Sequence, residues 1–296
     1  MTAALEARIA AQLDRSVRPE VAELARVLAE AAGAEAALFY GSNLRTGELD
    51  GVLDFYLLLP GPQRDRIWPR VSYHERAASD LTLRAKVATM ALDTFARACR
   101  GKSRDTTIWA RFVQPSALVF ARNEDTQGEI VDALAQAART AARLAVALGP
   151  PAGTAQDYWR ALFQATYRAE FRVEKAGRED SILSVNPAHF DGLLPLALEA
   201  DEIAFAQEGG QLRPGLAPSE RRRIARWWNA RRRMGKPLNV IRLIKASTTF
   251  EGAARYAAWK IERHTGVAVE VTPWRERHPV LAAPGVLWQV WRSRAR

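Results

Sequence analysis

Hydrophobic positions repeat with two different periods along this chain, and the change from one to the other outlines its architecture. The run PEVAELARVLAEAAG repeats at helical spacing, with Pro19 suited to the first position and Gly33 to the stop. AEAALFY follows as a short buried strand ending at Tyr40. A polar, glycine-bearing loop, GSNLRTGEL, then leads into GVLDFYLLLP, an apolar run of strand length interrupted by one carboxylate. Residues 80–100, DLTLRAKVATMALDTFARACR, place apolar residues at helical spacing, while TTIWARFV and SALVFA flank Gln114-Pro115 as two adjacent strands. The first 125 residues are thus expected to form a mixed sheet with flanking helices.

From Asp125 the pattern changes. EIVDALAQAARTAARLAVALG is alanine-rich and helical, and Pro150-Pro151-Ala152-Gly153 punctuates its end. QDYWRALFQATYRAEFRVEKAG continues as a helix, and Asn186-Pro187 suits the cap and first position of another. SERRRIARWWNARRRMGKP and LNVIRLIKASTTFEGAARYAAWKIERHTG complete a mostly helical half, with no internal repeat. The expected fold class is α+β, with a boundary near residue 125 separating a sheet-bearing part, 1–125, from a helical part, 126–296.

Composition narrows the occupation. With 48% hydrophobic and 26% charged residues, the 296-residue chain is neither a disordered tail nor a fibre. No run approaches the roughly 18 to 20 apolar residues of a bilayer span, and Glu6 and Asp14 stand where a signal peptide would be apolar, so a cytoplasmic location is expected. The single cysteine, Cys99, excludes an intrachain disulfide and a cysteine-built zinc cage. His74, His189, His264 and His278 are scattered without metal-ligand spacing.

Charge changes the picture further. The net charge of +10 is confined to one end: residues Arg221 to Arg296 hold 18 Lys and Arg against 4 Glu, leaving 25 basic and 29 acidic groups in the first 220 residues. The same segment holds six of the nine tryptophans, Trp227, Trp228, Trp259, Trp274, Trp288 and Trp291. An acidic partner for that end is implied, and it is either nucleic acid or an anionic bilayer surface; composition does not separate the two.

The candidate chemistry lies in FYGSNLRTGELDGVLDFYLLL. Nucleotidyl transfer needs a triphosphate and magnesium held beside the attacking oxygen. Gly41 lets backbone approach the phosphates, the Ser42 hydroxyl and adjacent N–H groups can donate to them, and Asp54, set among Val52, Leu53, Phe55, Tyr56 and Leu57, is placed to ligate the metal. Asp50 is an auxiliary candidate, because four residues of extended strand would hold it about 13 Å from Asp54. A further carboxylate could come from Asp105, Glu124 or Asp125, which the sequence does not rank and each of which reads as a surface residue before a ligand.

These residues resemble the mitochondrial-type phosphatidate cytidylyltransferases, the CDP-diacylglycerol synthases of the mitochondrial translocator assembly and maintenance family within the nucleotidyltransferase superfamily. That family likewise carries Tyr-Gly-Ser, here Tyr40-Gly41-Ser42, followed by a single Leu-Asp-Phe strand, here Leu53-Asp54-Phe55. A second stretch, residues 165–194, is similar to its helical-domain segment, with Glu170-Phe171-Arg172 and His189-Phe190 in the matching places. The resemblance covers about a quarter of the chain. The family's Lys-Tyr-Gly strand has no evident counterpart in PSALVFARNED, and Lys245-Ala246-Ser247-Thr248-Thr249 is only loosely similar to its C-terminal element.

The resemblance implies a nucleotidyltransferase-type sheet and the conversion of CTP and phosphatidic acid to CDP-diacylglycerol and pyrophosphate with Mg2+ at Asp54, and Asp50 stays the auxiliary catalytic and metal candidate read from the residues. It also implies nucleotide-binding roles for Gly41, Ser42, Arg172, Lys245 and His189. Such an enzyme must dock on a membrane, and PGVLWQVWRSRAR, with Trp288 and Trp291 beside Arg292, Arg294 and Arg296, suits an interfacial helix. Two other occupations stay open. One is a nucleotidyltransferase acting on RNA or a small molecule; the other is a non-catalytic basic adaptor that binds membranes or nucleic acid.

Overall fold

The computed structural model describes residues 2–78, 81–169 and 178–294, with the backbone alone at 178–180, 243, 244, 246–249, 279, 280, 287, 290, 293 and 294. In chain order the first elements are α1 (Thr2–Leu13), α2 (Pro19–Ala32), β1 (Ala36–Tyr40), α3 (Ser42–Thr46), β2 (Val52–Leu59), β3 (Arg70–Ala78), β4 (Leu81–Ala91), α4 (Leu92–Cys99), α5 (Thr107–Phe112) and β5 (Ser116–Ala121). Then follow α6 (Glu124–Leu148), α7 (Ala155–Ala169), α8 (Arg178–Val185), α9 (Pro187–Phe190), α10 (Leu193–Ala200), β6 (Phe205–Glu208) and β7 (Gln211–Pro214). The chain closes with α11 (Pro218–Thr249), α12 (Ala253–Thr265), α13 (Pro273–Arg277) and α14 (Pro279–Arg294). The α+β class and the mostly helical C-terminal half are as the sequence predicts.

Five strands form one mixed sheet in the order β3-β4-β2-β1-β5. β1 runs antiparallel to β2 and β5, β2 runs parallel to β4, and β3 runs antiparallel to β4. Alternation divides the side chains between two layers. Ala37, Phe39, Leu53, Phe55, Leu57, Leu83, Ala85 and Val87 pack against Val21, Leu24, Ala25 and Ala29 of α2. Leu38, Tyr56, Leu58, Ala88 and Met90 face the larger core, which draws Leu5 from α1, Phe95 from α4, Trp109 from α5, Trp159 from α7 and Trp228 from α11. That core takes side chains from both sides of residue 125.

Two elements differ from the sequence reading. Residues 81–91 are the strand β4, and only 92–99 are helical. The apolar residues Leu83, Ala85 and Val87 alternate with Arg84 and Lys86, and α4 follows without any breaker to mark the change of period. TTIWARF is helix α5, because Asp105 accepts from Thr107 N at 3.2 Å and Ile108 N at 3.2 Å and so starts a turn that buries Ile108 and Trp109. SALVFA is β5 as expected.

The long helix α6 starts at an Asn123 cap, whose side chain accepts from Thr126 N at 2.8 Å. Its buried alanines allow α1, α4, α5, α7, α10 and α11 to approach it. α11 is anchored along its inward face. Trp227 Nε1 donates to Gly101 O at 3.2 Å, Arg231 donates to the same oxygen at 2.6 Å, and Gly235 lies where a Cβ would come within 2.2 Å of Ala169 O. Beyond α11 the chain covers the sheet edge, since Tyr73 N donates to Glu251 O at 2.8 Å. Gly252, at φ +77°, comes so near that a Cβ would stand 2.6 Å from Tyr73 O, so only glycine fits.

Candidate active site

Asp54 lies in β2 between two strands. Tyr40 of β1 is its antiparallel partner on one side and Lys86 of β4 its parallel partner on the other. All three side chains project from the same face as Tyr56 and Ala88. Directly after Tyr40 the backbone turns at Gly41, whose φ of +93° lies outside the range an L side chain favours. A Cβ there would stand 3.1 Å from Asp54 Oδ2, so the absence of a side chain lets the exposed turn lie close against the carboxylate. Ser42 opens the short α3, with its hydroxyl exposed and 3.3 Å from Asn43 Oδ1.

Burial holds the Asp54 carboxyl above the usual carboxylate range, opposed by the positive charge of Lys86 and, after it, Arg111. Among the described residues the Asp54 carboxylate makes no hydrogen bond and no ion pair. Its environment therefore leaves an anion that a cation would stabilise. Arg111, carried by α5, is fixed by aromatic groups: its guanidinium lies 5.2 Å from the Tyr40 ring centre and 5.8 Å from that of Tyr56, and it donates to Tyr56 Oη at 3.1 Å. Burial also raises the Tyr40 phenol, against the opposing influence of Arg111, so Tyr40 stays neutral.

Helix α12 borders the site from the β3 side. Tyr256 stacks obliquely on Tyr73 at 5.3 Å, and Trp259 lies between Arg84 at 5.5 Å and Arg263 at 5.4 Å. Arg263 in turn donates to Asp50 O at 2.8 Å and faces the Asp50 carboxylate at 3.7 Å. Asp50 thus sits exposed in the turn before β2, engaged by α12.

Of the residues singled out in the sequence, Gly41, Ser42 and Asp54 come together, and Asp50 lies at the entrance of their strand. Arg172 lies outside the described residues. Lys245 donates to Ile67 O at 2.6 Å and pairs with Asp65 at 3.1 Å, tying α11 to the loop before β3. His189 is buried, with Nε2 2.8 Å from Val113 O and its ring edge-on to Phe190. Asp105 is not a surface residue: it is 4% exposed and pairs with Arg242 at 2.7 Å. Glu124 and Asp125 begin α6 on its exposed face. Among the described residues no three acidic, His or Cys groups gather into a metal cage.

Sequence reasoning missed Lys86 and Arg111. Lys86 carried a signal, because Arg84 and Lys86 alternate with Leu83, Ala85 and Val87, whereas Arg111 depends on where α5 packs.

No protein-family model matches the chain, and no curated protein is significantly similar to it. Among the described residues no helix is long and apolar enough to cross a membrane.

Proposed function

We propose that the protein is a Mg2+-dependent CTP:phosphatidate cytidylyltransferase that works as a peripheral protein on an anionic membrane from the cytoplasmic side. The observation that carries the reading is the close approach of the exposed Gly41 turn to the Asp54 carboxylate, with the positive charges of Lys86 and Arg111 acting on it. The resemblance of Tyr40-Gly41-Ser42 and Leu53-Asp54-Phe55 to the phosphatidate cytidylyltransferases supplies the substrates.

The residues present fit magnesium. That ion takes one or two carboxylates and completes its shell with phosphate oxygens and water, and Asp54 offers a half-buried carboxylate that has no ion pair among the described residues. When bound with the nucleotide, magnesium would neutralise triphosphate charge and polarise the α-phosphate.

The chain's own residues do the rest. Gly41 keeps side-chain atoms off the exposed turn, so that phosphate oxygens can approach its backbone from solvent, and Arg111, locked over Tyr40 and Tyr56, adds fixed positive potential. The acceptor's phosphate oxygen attacks the α-phosphorus of CTP. A P–O bond forms to the lipid phosphate, the α–β bridging bond breaks, and its electron pair leaves with pyrophosphate. No proton has to move, because the attacking oxygen is already ionised.

Membrane docking is supported by the far C-terminus, where Trp274, Leu281, Trp288 and Trp291 are 55%, 70%, 58% and 67% exposed and Arg292 lies 5.3 Å over Trp288. The test is pyrophosphate release from each of the four NTPs, with and without phosphatidic acid in mixed micelles, for wild type and Asp54→Asn. CTP-selective, phosphatidate-dependent turnover lost in the variant is the expected result. If no nucleotide responds to phosphatidate the lipid assignment fails, and response to RNA instead would favour the nucleic-acid reading.

A further inference from the structure

Lys86 and Arg111 are the cations whose charge reaches Asp54, and the others on neighbouring elements are engaged elsewhere. Arg84 pairs with Glu75 at 3.4 Å and faces Trp259, Arg111 bonds Tyr56, Arg242 pairs with Asp105, Lys245 pairs with Asp65, and Arg263 holds Asp50. Lys86 differs: among the described residues its ammonium makes no hydrogen bond and no ion pair, although it is half-buried and directly beside Asp54 in the parallel register. Three donors on a compact point charge are therefore unspent at the site.

The order across the sheet gives that charge a direction. The Gly41 turn extends β1 on one side of Asp54, and Lys86 lies in β4 on the other. With neighbouring strands about 4.8 Å apart, the row spans about 10 Å, enough to seat two phosphate groups on either side of a third. An in-line displacement places the entering and leaving oxygens on opposite sides of the α-phosphorus. The exposed turn at Gly41, which carries no side chain, suits the triphosphate tail that leaves, so the entering group falls on the Lys86 side.

We propose that Lys86 holds the phosphate of the acceptor, opposite the nucleotide's pyrophosphate, an assignment that rests on the nucleotidyl-transfer reading above. Lys86 then offsets the repulsion between two polyanions and aims the acceptor oxygen at the α-phosphorus, without taking or giving a proton.

The test compares wild type with Lys86→Met and Lys86→Arg, each first checked for unchanged melting. Three quantities are measured: CTP affinity with magnesium and no acceptor, affinity for dioctanoyl phosphatidate with dioctanoylglycerol as neutral control, and steady-state turnover with each substrate varied. Loss of a charge-assisted contact should weaken dioctanoyl phosphatidate and raise its KM about 10- to 100-fold in Lys86→Met. CTP affinity should stay within about twofold, and Lys86→Arg should recover most of the loss. The assignment is overturned if Lys86→Met loses CTP affinity while keeping phosphatidate affinity, if wild type and Lys86→Met bind phosphatidate equally, or if wild type does not bind it. Failure of the parent reading is separate: it appears as wild type without phosphatidate-dependent pyrophosphate release, and the binding titration still decides Lys86.

Discussion

Asp105 and Arg242, 137 residues apart in sequence, meet in a 2.7 Å ion pair at which Asp105 is 4% and Arg242 18% exposed. The same carboxylate starts α5, accepting from Thr107 Oγ1 at 2.7 Å, and α5 carries Arg111. Arg242 also donates to Trp68 O at 2.8 Å and lies over the Trp68 ring. One contact therefore joins the last third of the chain to the helix that positions a cation at Asp54.

Removing Asp105 leaves a guanidinium desolvated and α5 without its starting bonds. Asp105→Ala is expected to lose about 3 to 5 kcal/mol of stability, measured by urea unfolding, the usual cost of breaking a buried pair. Turnover should fall with it even under conditions where the variant stays folded, because Arg111 loses its support.

Asp54→Asn should abolish turnover and yet raise the melting temperature at pH 7. Burial raises the folded carboxyl's pKa, so the folded state binds more protons than the unfolded one, and this group's contribution to stability falls as pH rises through its folded value. The gain from Asn should shrink toward acid pH, below the unfolded value, where both states are protonated. A variant that is less stable at pH 7 would contradict a desolvation cost at this carboxylate that outweighs the positive charge of Lys86 and Arg111.

His189 works in the opposite sense. Burial lowers it to about 4 from an ordinary 6.5, partly offset by its bond to Val113 O. The folded state then binds fewer protons, so its contribution is complete above pH 6.5 and is lost as pH falls toward 4. The shift corresponds to about 3 kcal/mol. In chemical denaturation from pH 7 to pH 4, His189→Gln should show a flatter stability profile than wild type.

Trp288→Ala with Trp291→Ala should reduce cosedimentation with vesicles containing phosphatidic acid several-fold and leave melting unchanged, since both rings are exposed. The Trp227→Ala and Trp228→Ala substitutions should behave in reverse, because those rings pack on Trp109 at 5.9 and 6.2 Å. Equal loss of vesicle binding in both pairs would argue against α14 as the docking element.

Much of this arrangement was legible in the sequence where one period ran alone. Pro19 and Gly33 bracket α2 as read, and β1, β2, α6 and the C-terminal helices fall where their patterns place them. β3 has no clear period, and β4 resembles a helix in sequence, because Arg70–Ala91 mixes charged and apolar residues and passes straight into α4. At the site, Gly41 and Asp54 were legible because a lone carboxylate in an apolar strand is conspicuous. Lys86 and Arg111 were not, since their closeness to Asp54 depends on strand register and on a six-residue helix. Nor could composition tell Trp227 and Trp228, which face inward, from Trp274, Trp288 and Trp291, which face solvent.

The covering of β3 by Glu251 and Gly252 also sets a timetable for synthesis. The last strand of the main sheet ends at Ala121, and about 130 more residues must leave the ribosome before that edge can be covered, an interval of roughly 6 to 25 s at ordinary elongation rates. Throughout it the nascent chain carries an open sheet edge and an Asp105 whose partner has not yet been made, which is the period when a chaperone would be most needed.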